Sequence, residues 1–332
     1  MAELMTYNEP NKGILVVGID IGILFQGKPF YKDFPFLTGF KCLKAGKFME
    51  YEVKMNFYRD WIFYLKGEGE LERAGYSPAE NPDDISIQYF NLVRRLIPAV
   101  PRNVLIAKKF KCPSEVRLGF NLVKDKVKKG VDLRPHLSTR ILDLDYDDDL
   151  LNDWGIHHLH LGTSKMKHNP SFFNRTGPVL LVRFDEQNAY FISIMEHGNW
   201  TNQDMIRIIH HNWAESIKQF KVNDAIGLNK PVTDRDIKSF RKSHVFSFIE
   251  PEPGVIYAPP GMGLTSSGVG LEVVRSSDHY ANLMKTYEDV IRENIDEITE
   301  NIKDDTGKLF FTMRINKKNV YAFEKNIILS SI

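Results

Sequence analysis

A chain of 332 residues is long enough for two domains or one large one. Its apolar share of 42% and charged share of 26% are those of an ordinary globular protein, and a net charge of +1 excludes a global field drawing it to nucleic acid or membrane. The two cysteines, Cys42 and Cys112, exclude a disulfide scaffold and a zinc ribbon, and they fit a reducing, cytoplasmic setting.

The longest apolar run, residues 13–25, is broken by Asp20 and too short to span a bilayer, so no membrane partner is expected. Neither a targeting signal nor a fixed-period repeat is read in the chain. Ile14 to Phe25 reads as a buried strand and residues 26–47, rich in glycine and proline, as loop. In Phe48 to Asn56, charged and apolar residues alternate, which predicts a half-buried strand, with Trp61 to Leu65 as its antiparallel neighbour. Residues 67–84 read as a linker. Asp84 is placed to cap a helix over 85–97, ended by Pro98, and Ser114 to cap a second one through Lys129, stopped by Gly130. Lys124, Lys126, Lys128 and Lys129 suit the dipole at that helix end. Asp143 to Asp149 has the alternating acids of a calcium loop. However, Asp148 stands where glycine is needed and Trp154 where glutamate is needed, so the acids are assigned to capping a turn.

The stretch from Asp153 to Glu215 holds seven of the ten histidines, where an even spread would leave about two. Ile156 to Leu161 reads as a strand. If Leu159 and Leu161 mark its core side, His157 turns inward with them, and His158 and His160 project together into a cleft. Residues 179–184 and 189–196 predict a hairpin carrying Arg183 near its turn and His197 at its far end. A helix follows from Thr201, burying Met205, Ile208, Ile209 and Trp213 and leaving His211 on its polar face and His210 at the margin. Thr233 to Asp236 looks like a cap for a short basic helix, and residues 245–249 and 254–257 read as short strands. Residues 259–270 form a glycine-rich loop without the lysine of a phosphate-binding loop. An amphipathic helix over 278–303 and a hairpin around residues 316–318 complete an α+β chain. It is divided into a scaffold or recognition region, 1–140, and a histidine-rich region, 141–332.

The histidines admit three uses. They can be hydrogen-bonded strand residues in a polar cleft. They can hold a metal, with His158 and His160 as a strand pair and His197 as third ligand, although no H-E-x-x-H pattern or carboxylate companion accompanies them. Or they can do metal-free acid–base work on a phosphodiester, with Arg183 neutralising the phosphate.

The order Trp154-Gly-Ile-His-His-Leu-His-Leu161, a spacer, Leu180-Leu-Val-Arg-Phe184, a polar turn, then Tyr190-Phe-Ile-Ser-Ile-Met-Glu-His197 resembles the sheet of RelE-type toxins, small bacterial mRNA-cleaving ribonucleases. The resemblance spans about residues 150–200 and departs at Gly198-Asn-Trp200, where that family often has arginine; the family is also smaller and more basic. It implies a metal-independent endoribonuclease of toxin or antiviral-defence type, with RNA as substrate and a protein antitoxin or trigger as partner. On that reading His158, His160, His197 and Arg183 are catalytic, Trp154, Tyr190 and Trp200 bind substrate, and neither metal nor cofactor is needed. The alternative is a non-catalytic binding or scaffold protein with a histidine-lined cleft.

Overall fold

The computed structural model describes residues 4–9, 14–19, 51–67, 71–296, 308–316 and 319–324. Contacts divide the chain into two compact units, one made of residues 1–86 with 277–332 and the other of residues 87–276.

In the first unit, β1 (Leu4–Glu9), β2 (Ile14–Ile19), β3 (Glu52–Lys54), β10 (Lys308–Asn316) and β11 (Asn319–Glu324) form one sheet in the order β1-β2-β11-β10-β3. Its pairs are antiparallel except β10 with β3, which is parallel. The expected hairpin around 316–318 is there as β10–β11. Trp61 to Leu65, expected as a strand, belongs to α1 (Phe57–Lys66). Phe57, Trp61, Ile62 and Leu65 are buried at helical spacing, and the Asn56 side chain caps the first turn by accepting from the Arg59 N–H at 2.9 Å. A short apolar run is ambiguous by alternation alone, and here the cap decides it. Only residues 52–54 of the strand expected over 48–56 are strand; residues 48–50, like 20–47, lie outside the described residues.

The second unit carries the histidines. Its main sheet has the order β4-β7-β6-β5, from β4 (Asn103–Ile106), β5 (Ile156–His160), β6 (Pro178–Phe184) and β7 (Asn188–Glu196). β4 runs parallel to β7, and the other pairs are antiparallel. The α+β class therefore holds, with sheets that are only partly antiparallel. The expected boundary at residue 140 falls inside this unit, because β4 joins the sheet that carries the histidines. Around the sheet lie α2 (Pro82–Arg95), which begins in the first unit, then α3 (Arg117–Lys129), α4 (Asp149–Trp154), α5 (Asp204–Trp213) and α6 (Asp234–Lys242), followed by the hairpin of β8 (Ile249–Glu252) and β9 (Val255–Tyr257). The last helix, α7 (Leu271–Glu293), runs into the first unit; residues 297–303, expected to continue it, lie outside the described residues.

Local signals place these elements. Gly130 ends α3 in the left-handed conformation, and Thr233 and Asp236 form a reciprocal capping box on α6, both as the sequence predicts. Asp148 caps α4, its side chain accepting from the Leu151 N–H at 3.1 Å, so the acidic run starts a helix. Gly155, with φ of 67°, turns α4 directly into β5. The core joins Leu150 and Trp154 of α4 to Ile156, Val179, Leu181 and Ile192 of the sheet and to Met205, Ile206 and Ile209 of α5.

Candidate metal centre

Register explains how three distant histidines meet. In β5, His158 and His160 face the same way and pair with Leu181 and Val179 of β6. Val179 pairs in turn with Met195 of β7, and His197 is two residues beyond Met195. Its N–H donates to the Gly177 carbonyl at 2.9 Å, which keeps the chain alongside the start of β6. Alternation thus puts His158, His160 and His197 together at one end of one sheet face.

Their ring centres are 6.1 Å (158 to 160), 6.0 Å (158 to 197) and 5.7 Å (160 to 197) apart. One donor atom from each lies within 4.8 Å of those of the other two. Trp200 walls the group, 4.7 Å from the His158 ring and 4.8 Å from the His197 ring. His160 is 2% exposed and His158 8%, whereas His197 is exposed, so the cluster opens on the His197 side.

This corrects one expectation. His158 and His160 do share a cleft, but they are the buried pair, and His157 is the half-buried one. The leucines mark no unique core side because both faces of β5 are covered; the face of His158 is also that of core residues Ile156, Val179 and Leu181.

The nitrogens of the buried pair are poorly satisfied. Neither ring nitrogen of His160 has a hydrogen-bond partner of good geometry, and His158 Nδ1 has none either. His158 Nδ1 is 3.7 Å from Asp148 Oδ2, beyond a hydrogen bond but within reach of a small rotation. The His160 carbonyl accepts from Nδ1 of the fully buried His136 at 2.9 Å, which puts that ring's proton on Nδ1. Burial pushes His160 down to about 3, with the charges of His158, Arg175 and His197 adding to it and a looser approach of the Thr176 backbone opposing. Burial also lowers His197, helped by His158 and Arg175.

The other expected site residues lie elsewhere. Arg183 pairs across β5 with Ile156, at the end of β6 away from His197, and donates to the Ser216 carbonyl at 3.3 Å. Its guanidinium, lowered to about 10 by burial, is occupied with structure and does not meet the cluster. Tyr190 donates its hydroxyl to Asp185 at 2.6 Å and packs on Trp213. Trp154 is fully buried beneath Arg241, 4.4 Å from the guanidinium. Of the three expected substrate-binding aromatics, only Trp200 is at the cluster. Sequence reasoning missed Arg175, in a loop with no local signal; its charge reaches His160 and His197 while its guanidinium donates to Thr139 at 2.8 Å. It also gave Asp148 only the role of a cap.

A metal fits this donor set. With metal–nitrogen bonds of about 2.0–2.1 Å at tetrahedral angles, three imidazole nitrogens sit about 3.4 Å apart. The exposed His197 is the ligand able to close the remaining gap by rotation. Asp148, 3.7 Å from His158 Nδ1, would be the outer carboxylate of the kind that commonly orients a ligating imidazole.

Acid should expose the cost of these buried rings. Burial pushes His136 down to about 4 from an ordinary value near 6.5. The unfolded chain therefore takes up a proton at this position below pH 6.5 that the folded protein refuses until about pH 4. Stability contributed by neutral His136 is complete above pH 6.5 and is lost as pH falls through that window. Between pH 6 and 4.5, wild type should lose more stability than His136→Asn, by up to about 1.4 kcal/mol per pH unit. Denaturant titrations of both proteins check this, and parallel pH slopes would contradict it.

The chain matches no family model, no curated protein and no solved structure.

Proposed function

We propose that the protein is a hydrolase that holds one divalent transition-metal ion, zinc in the first instance, on His158, His160 and His197. The observation that carries this reading is the convergence of three imidazoles, one of them buried with both nitrogens unpaired. Leaving such a polar group unpaired costs about 1–3 kcal/mol, which coordination removes. Three protein ligands leave a fourth position for water, and a bound metal brings that water's pKa down to about 7. His197, the exposed ligand, lies on the open side of the cluster, where an incoming substrate would meet the ion.

The metal-free scheme suggested by the RelE-type resemblance is the second reading, and two observations weigh against it. Burial lowers His160, which weakens it as a proton carrier near neutrality, and Arg183, donating to the Ser216 carbonyl at the other end of β6, is not at hand to neutralise a phosphate. An RNA phosphodiester remains the first substrate to test, since Arg175 supplies positive charge beside two of the ligands.

Incubating chelator-stripped protein with end-labelled RNA, with and without zinc, tests the reading. Zinc-dependent cleavage lost in His160→Ala is expected. Metal bound without turnover of RNA or other esters would leave a binding centre and overturn the hydrolase.

Asp148 gives a finer test. Asp148→Asn keeps an oxygen for the Leu151 N–H but removes the charge facing His158. Zinc affinity should fall about ten- to a hundredfold with little change in the melting temperature of the metal-free protein. Asp148→Ala should lose the cap as well, at about 1 kcal/mol. Equal zinc affinity in wild type and Asp148→Asn would remove the carboxylate from the account.

A further inference from the structure

A second donor group lies at the end of α5. His210 and His211 occupy its last turn and face Glu252, the last residue of β8. His210 Nε2 is 3.0 Å from Glu252 Oε1, and His210 Nδ1 is 2.9 Å from the Tyr257 hydroxyl. Neighbours on a helix ordinarily point about 100° apart. Here the two rings are nonetheless 5.2 Å apart, and one donor atom from each of the three side chains lies within 4.8 Å of the others. Tyr257 is 2% exposed and belongs to the core, so its hydroxyl is a fixed point against which the His210 ring is set. A helix C-terminus also favours a cation.

We propose that His210, His211 and Glu252 form a second site for a divalent transition-metal ion, with Tyr257 as the outer partner that aims His210 Nε2 at the ion. Two imidazoles and one carboxylate are a donor set suited to zinc. Without an ion, His210 Nε2 faces the Glu252 carboxylate and Nδ1 faces the Tyr257 hydroxyl. With an ion, the ring proton sits on Nδ1 and is donated to the Tyr257 oxygen, freeing the Nε2 lone pair. The ion ties the end of α5 to the β8–β9 hairpin. Two of its three ligands are exposed, so it exchanges faster than an ion on the three-histidine cluster.

The test is zinc titration of untagged, chelator-stripped full-length protein by calorimetry. Wild type should bind two equivalents. His211→Asn should bind one, with an unchanged melting temperature before zinc is added, because His211 is exposed. Tyr257→Phe should weaken the same equivalent about ten- to a hundredfold. His197→Ala should lose the other equivalent and keep this one. If wild type binds one equivalent that His197→Ala removes and His211→Asn keeps, this inference is overturned and the three-histidine metal centre stands. If the single equivalent is lost in His211→Asn alone, the inference stands and the hydrolytic centre fails. No binding in wild type overturns both.

Discussion

Asp153→Ala should destabilise the second unit by about 3–5 kcal/mol, the largest loss expected from any single side chain of the site's support. Asp153 and Arg241 form an ion pair of 2.8 Å in which the side chains are only 3% and 4% exposed. The guanidinium also lies over the Trp154 ring and donates to the Trp200 carbonyl at 2.6 Å. Removing the carboxylate strands a buried charge, which costs far more than the pair contributes. Because Trp200 walls the histidine cluster, the damage should spread to zinc affinity as well as to stability. Arg241→Met in the Asp153→Ala background should recover much of the loss, since neither charge is then left alone. Denaturant unfolding of both single variants and the double variant measures this. A loss below 1 kcal/mol for Asp153→Ala, or strict additivity in the double variant, would contradict it.

His197→Ala should abolish hydrolysis without unfolding the protein. The exposed ring contributes little to packing, so stability should change by no more than about 0.5 kcal/mol. Turnover should fall about a thousandfold or more, because two imidazoles do not hold the ion that lowers the water pKa from 15.7 to about 7. His160→Ala should show the same loss of activity with a different stability signature. It removes a buried ring with unpaired nitrogens, so the packing lost is partly offset by the polar groups no longer stranded. Rates and denaturation curves for both variants check this; substantial zinc-dependent turnover by His197→Ala would contradict it.

Much of the second unit is legible in the sequence because its signals are local. Strand β5, the β6–β7 hairpin, the Gly130 stop and the Thr233 capping box each rest on a few neighbouring residues. The meeting of His197 with His158 and His160 is legible too, once alternation is carried across three paired strands. Exposure is not. A strand with both faces covered shows no contrast between them, so His157 and His158 exchange their expected places. The strand expected at Trp61 fails for a related reason, a short apolar run whose period the Asn56 cap decides. Strand β4 escaped notice because it pairs with a strand more than 80 residues away, and no local pattern announces a parallel edge. Arg175, Asp148 and the tie from Arg241 to Trp200 are likewise long-range contacts, visible only when the chain is folded.

The central claim is that three histidines hold one metal ion, and zinc titration of chelator-stripped His211→Asn protein tests it most directly, because the exposed pair on α5 is then disabled. The account predicts one tightly bound equivalent, lost in His160→Ala/His211→Asn while that protein keeps its cooperative unfolding. No stoichiometric binding, or one equivalent that survives the loss of His160, would contradict it.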